Sequence, residues 1–203
     1  ETSENDVAGF VMLVAPHGRK SNRKVLQKRQ SLAGNEWPAR LTWPASPSLY
    51  DRLTRTDPKP QMNHDAYPDY YLADILRETK TIALVGASPN PERPSHRVMA
   101  FLLRKGYRVI PINPGHVGKS IQGQAVVGRL ADVKEPIDMV DVFRAADALP
   151  ALVDEILALE TLPKAIWGQL SVRNDGAAAK AEAAGIKVVM DRCPAIEYPR
   201  LIG

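Results

Sequence analysis

The sequence predicts an α/β fold built on a mainly parallel sheet, and three observations carry that prediction. Apolar runs rich in β-branched residues recur between Thr81 and Met190. They are continuous rather than alternating, as expected of strands buried on both faces. Segments with apolar residues at helical spacing lie between them. Strand and helix therefore alternate, the pattern of parallel strands joined by crossover helices.

The elements follow in order from Tyr67, where the texture of the chain changes. Tyr70, Ile75 and Leu76 suit a short helix laid across the sheet ahead of the first strand, residues 81–85. Gly86, Ala87 and Ser88 come next, where the chain must turn sharply. Ser95 is the expected N-cap of a helix whose stripe is Val98, Met99, Leu102 and Leu103. Arg104 and Lys105 complement the negative end of its dipole, and Gly106 suits the C′ position. Residues 107–112 read as the second strand, with Pro111 marking its end. Asn113 to His116 form a turn, and 117–128 is an irregular excursion with room for a short extra strand near 125–127. A helical turn fits 129–135. Residues 137–143, IDMVDVF, read as a strand carrying two acids. Asp147 is expected to cap a helix with Pro150 in its first turn and Leu149, Leu152, Val153, Ile156 and Leu157 facing inward. Another strand falls within 164–170. An alanine-rich helix from about 174 to 184 stops at Gly185, 186–190 is the final strand, and Cys193-Pro194 opens a closing helix. The sum is a Rossmann-like, doubly wound sheet of about five to six strands flanked by helices.

Composition bounds the function. The chain has 203 residues and is 44% hydrophobic, enough for a real core. No run of about 18 apolar residues could span a membrane, and residues 10–15 are too short for a secretory core. Cys193 is the single cysteine, which rules out an intramolecular disulfide and fits a reducing cytoplasm. The net charge of +4 is uneven: residues 1–61 hold 10 of the 27 basic and 6 of the 23 acidic residues, so 62–203 is neutral. Residues 1–61 show no sustained period and are expected to be a disordered or non-native basic extension, with Met62 a natural start and 62–203 the domain proper. A basic arm for nucleic acid is the alternative, but it lacks an RGG run, a zinc pattern or regular aromatic interleaving.

The loops narrow the ligand class. The first one lacks the G-x-G-x-x-G of a dinucleotide fold and instead carries Ser88, Asn90, Arg93, Ser95, His96 and Arg97. Such groups beside a helix N-terminus can bind phosphate oxygens, although an ordinary solvated turn reads equally well. At the end of the second strand, where an NAD site places an acid for the ribose hydroxyls, stand Asn113 and Pro114, followed by Lys119. Loss of the acid and gain of a cation favour a phosphorylated ribose, as in NADP or in the 3′-phosphate of coenzyme A; a surface lysine explains Lys119 as well. No catalytic constellation is visible: neither G-x-S-x-G, nor a Walker loop, nor a paired His–Cys signature. The four histidines lack zinc-site spacing. Asp138 and Asp141 are three apart in a strand and so face opposite ways. Cys193 reads as a small buried residue.

Five pieces together, IALVGASPNPERPSHRV, VIPINPGHVGKSIQGQ, IDMVDVFRAADALP, IWGQLSVRNDGAA and VVMDRCPAIEYPRL, resemble the small stand-alone bacterial CoA-binding proteins. These are similar to the N-terminal CoA-binding domain of the succinyl-CoA synthetase α subunit and of ADP-forming acyl-CoA synthetases. The likeness covers about two-thirds of the chain and leaves out residues 1–61. It implies a CoA-binding Rossmann fold in which Gly86, Ala87, Ser88, Arg93 and Arg97 lie near the CoA phosphates. Asn113, Pro114 and Lys119 lie near the adenosine 3′-phosphate, and Phe143 and Arg144 near the adenine and pantetheine. Trp167, Gln169 and Asn174 match the W-x-Q motif and the helix start after it, with Trp167 open to a purely core reading. The synthetases' phosphohistidine domain and nucleotide-grasp subunit have no counterpart here. The resemblance thus implies a cytoplasmic binder of CoA or acyl-CoA rather than a ligase. An NADP-dependent oxidoreductase and a CoA-binding subunit for a separate ligase stay open, as does a homo-oligomer.

Overall fold

The computed structural model describes residues 62–203; the expectations for residues 1–61 lie outside them. Helix α1 spans Asp69–Glu78 and leads into strand β1, Thr81–Val85. Helix α2, Pro94–Arg104, returns the chain to β2, Arg108–Ile112. A small hairpin follows, β3 at Ser120–Ile121 and β4 at Gln124–Ala125. Then come β5 (Met139–Val142), α3 (Leu149–Leu157), β6 (Ala165–Gly168), α4 (Asp175–Ala183), β7 (Lys187–Val189) and α5 (Pro194–Leu201).

The main sheet has five strands in the order β2-β1-β5-β6-β7, every pairing parallel. Alternation along each strand feeds two cores. Ala83, Val85, Val140, Val142 and Ile166 pack with α3 and α4 on one face. Ile82, Leu84, Met139 and Trp167 pack with α1, α2 and α5 on the other. The sheet is therefore doubly wound, and the strand order reverses between β1 and β5. A crevice opens at the carboxyl ends of strands at such a reversal.

Several local readings give way to the packing. The N-cap of α2 is Arg93, with Pro94 in the first turn, and Ser95 is buried inside the helix. Pro at the first helical position fixes φ and lacks a donor that would go unused, so it sets the start two residues before the expected serine. Asp147 does not cap α3; a 3-10 turn at Ala146–Ala148 precedes it, and the cap is Ala148 without a side-chain bond. Tyr70 is 69% exposed, and α1 turns Leu72, Ala73, Ile75 and Leu76 inward instead. Pro111 lies within β2 rather than at its end. It is tolerated because β2 is an edge strand and the missing donor faces outward. There its carbonyl accepts from Val127 N at 2.9 Å, and an isolated parallel bridge joins Ile112 to Val127.

The opposite edge is closed by side chains. Tyr71 Oη both accepts from Val188 N at 3.0 Å and donates to Val188 O at 3.2 Å, and Tyr67 Oη accepts from Met190 N at 2.7 Å. These are the outward backbone groups of β7, since Lys187 N turns inward to Lys164 O. Burial pushes both phenols up to about 12, so the hydroxyls stay neutral donors and acceptors.

Candidate functional site

The site grows from one glycine. Gly86 follows β1 at φ +88°, where an L side chain is strained, and a Cβ there would meet the Phe143 carbonyl oxygen at 2.5 Å. The loops after β1 and β5 can approach this closely only because that residue has no side chain. Gly86 N donates to Ile112 O at 3.1 Å, tying in the end of β2. The loop beyond is held by its own side chains: Ser88 Oγ accepts from Asn90 N, and Asn90 Oδ1 from Glu92 N. Among the described residues, Ser88 N and Ser95 N meet no backbone acceptor, so these two donors beside the N-terminus of α2 are open to an anion.

Two cavities flank this loop. The larger, of about 530 Å³, is lined by Gly86, Ala87, Ser88, Arg93, Asn113, Phe143, Arg144 and the exposed Leu170, and by the buried Val98, Gln169, Val172 and Cys193. No carboxylate lines it. The smaller, of about 230 Å³, lies toward α3 between Val85, Ile112, Leu130 and Leu152, with Pro114, Arg129, Arg144 and Glu155 around it. Arg144 borders both, and Arg93, Arg129 and Arg144 are exposed. The combination is an apolar interior under a cationic rim, which suits a long ligand with anionic groups at its middle.

The profile of the CoA binding domain family matches residues 80–199 of this chain. The chain belongs to that family. Relatives of this CoA-binding domain include the uncharacterized protein YneT of Bacillus subtilis strain 168. It is 36% identical over 122 residues, covering 60% of this chain and 87% of that one. Among solved structures, cell-free ID.343 from Thermus thermophilus is 41% identical with a TM-score of 0.63, covering 67% of this chain and all of that one. A hypothetical protein from Pyrococcus horikoshii OT3 is 34% identical with a TM-score of 0.64, covering 71% and 99% respectively.

Within this CoA-binding domain, the structure gathers Gly86, Ala87, Ser88, Arg93, Asn113, Phe143 and Arg144 around the larger cavity, while Pro114 and Arg144 meet at the smaller one. Arg97 and Lys119 are exposed and line neither. Asn113 is spent on architecture: its Nδ2 donates to Ala87 O at 2.7 Å and its Oδ1 accepts from Gly115 N at 2.8 Å, clamping the second loop to the first. Trp167 is fully buried, with Nε1 donating to Arg192 O, and Asn174 caps α4 by accepting from Ala177 N. Cys193 sits at the N-cap of α5, and burial pushes its thiol up, against nucleophilic use. Arg129, Glu155 and Val172 were not singled out from the sequence, and Leu152 was read only as a core residue of its helix. Nothing in their spacing marks them as lining, because they come from separate loops and from α3.

Asp138 and Asp141 do face apart. Burial alone would raise the Asp138 carboxyl, but Lys164 and the N–H groups of Thr81 and Lys80 hold it below the usual range. It pins the start of the sheet at the end away from the site.

Proposed function

We propose that this protein binds coenzyme A or an acyl-CoA and carries out no group transfer of its own. The observation that supports this best is the pair of cavities flanking Gly86 at the strand-order reversal, bridged by Arg144 and rimmed by arginines. The adenosine end fits the smaller cavity between Ile112 and Leu152. The diphosphate then lies over Gly86 to Ser88, within reach of Arg93, and the pantetheine arm enters the larger cavity. Lys119, on the second loop, is the cation for the 3′-phosphate, and Arg97 adds charge on α2. Such a ligand and a lone free thiol fit a cytoplasmic setting.

Equilibrium titration with CoA, dephospho-CoA and NADP tests this reading. CoA should bind most tightly. Lys119→Ala should weaken CoA by about tenfold, the scale of one exposed charge-assisted contact, and should leave dephospho-CoA nearly unchanged. Binding of NADP with none of CoA would replace this reading with the oxidoreductase one. Equal losses for CoA and dephospho-CoA would remove Lys119 from the 3′-phosphate.

A further inference from the structure

A polar pair beneath the larger cavity has no part in holding phosphates. Asp141 lies in the middle of the sheet, fully buried, between its register partners Leu84 and Trp167. Its Oδ1 accepts from Gln169 Nε2 at 2.7 Å, and its Oδ2 has no partner. Gln169, two residues beyond Trp167 on the same face, is only 6% exposed and lines the cavity. Among the described residues its Oε1 accepts no hydrogen bond. An unpaired buried carboxylate oxygen is costly and calls for an explanation.

We propose that Gln169 is a specificity-determining residue at the cavity floor, held by Asp141 so that its Oε1 receives a hydrogen-bond donor from the far end of the pantetheine arm. This inference rests on the CoA reading above. An ionised carboxylate can only accept, so the Gln169 NH₂ must turn to Asp141, which leaves an acceptor for the ligand. The surroundings suit such an arm: Val98, Phe143, Leu170 and Val172 are apolar, and the carboxylate below disfavours an anion. Two donors on that arm share the required chemistry, the terminal amide N–H and the thiol S–H.

The arrangement also makes recognition depend on pH. A protonated Asp141 can donate to Oε1, freeing the amide to turn its NH₂ toward the cavity and reject a donor. Burial pushes this carboxyl up to about 7, which brings the exchange near neutrality. Few other titratable groups face it. From α5 come the Cys193 thiol and Glu197, the latter bound to Arg200. From α2, the buried Ser95, which does not titrate, and the rim residue Arg93 line the same cavity. The buried residues of α1 are all apolar.

The test is a titration of the whole protein with three probes: CoA, desulfo-CoA lacking the S–H, and an analogue with the terminal amide replaced by an ester. Each is run at about pH 6 and about pH 8, either side of the Asp141 titration. Gln169→Leu should weaken CoA by about two- to tenfold, the range of one neutral hydrogen bond. It should leave untouched whichever analogue lacks the recognised donor. The native protein should bind CoA more tightly at the higher pH, and Asp141→Asn should flatten that difference. Equal losses for all three probes would reduce Gln169 to packing, and an unchanged pH profile in Asp141→Asn would remove the positioning role; either overturns the inference while the CoA reading stands. No CoA binding by the native protein overturns both. Should Gln169→Leu fail to fold because Asp141 is stranded, Asp141→Leu/Gln169→Met removes the pair together and should show the same selectivity among the probes.

Discussion

Gly86 combines two constraints that usually fall on different residues: a left-handed backbone and a carbonyl at 2.5 Å from any added Cβ. Gly86→Ala should cost about 1–3 kcal/mol from backbone strain, with more from the displaced Phe143 loop. Chemical denaturation would show the loss, and CoA titration should show binding fall with it. Asp141 and Asp138 make opposite contributions to stability against pH. The folded value of Asp138 is lowered, so its contribution is present above the ordinary carboxylate range and is lost as pH falls. The folded value of Asp141 is raised from 3.8 to about 7, so its native form binds the extra proton; its penalty is absent in acid and grows as pH rises from about 4 to about 7. Asp141→Asn should therefore stabilise the fold at pH 8 relative to pH 5, by roughly 2–4 kcal/mol; denaturation midpoints at the two pH values check this. The acid in IDMVDVF was legible as an oddity in an apolar run. That it would be orphaned was not, because that depends on which residues its neighbouring strands place beside it.

At the scale of elements, helix and strand identity came from periodicity, and helix starts did not. Asn174 was legible as the start of its helix, and the structure makes it the cap: its Oδ1 accepts from Ala177 N at 2.9 Å. Asn174→Ala should cost about 1 kcal/mol, read as a lower thermal midpoint, with the ends of α4 exchanging amide hydrogens faster. Ser95 and Asp147 carried the same local signal and failed, because Pro94 and Pro150 set the start of each helix by geometry. The hairpin at Gln122-Gly123 was read as irregular because its strands are only two residues each, too short for an alternation to register. Its turn has φ of 52° and 75°, both positive, as a tight two-residue hairpin requires. Glycine supplies the second position without strain, while glutamine at the first carries a small cost.

For the whole molecule, a doubly wound parallel sheet could be anticipated because alternating strands and helices admit few parallel arrangements. The two cavities could not, since their walls come from residues far apart in sequence. Among the described residues, both cores draw their buried members from between Leu72 and Cys193. A chain of residues 62–203 should therefore fold by itself and unfold in one cooperative transition. Calorimetry should give agreement between the calorimetric and van't Hoff enthalpies, and CoA affinity should match that of the full chain. A broad, non-cooperative transition would show that the core needs residues outside this range.

The two phenols along β7 and the proline within β2 have a consequence for self-association. A parallel sheet ends in rows of unpaired amides that another chain can extend. Here Tyr67 and Tyr71 occupy the outward amides of β7 as a further strand would, and Pro111 with Val127 does the same at the other end. The β7 rim offers no template for a neighbouring molecule, and at β2 the proline removes one donor from it while Val127 covers the end nearest the site. Contact between copies through the described residues is thereby steered toward helix and loop surfaces.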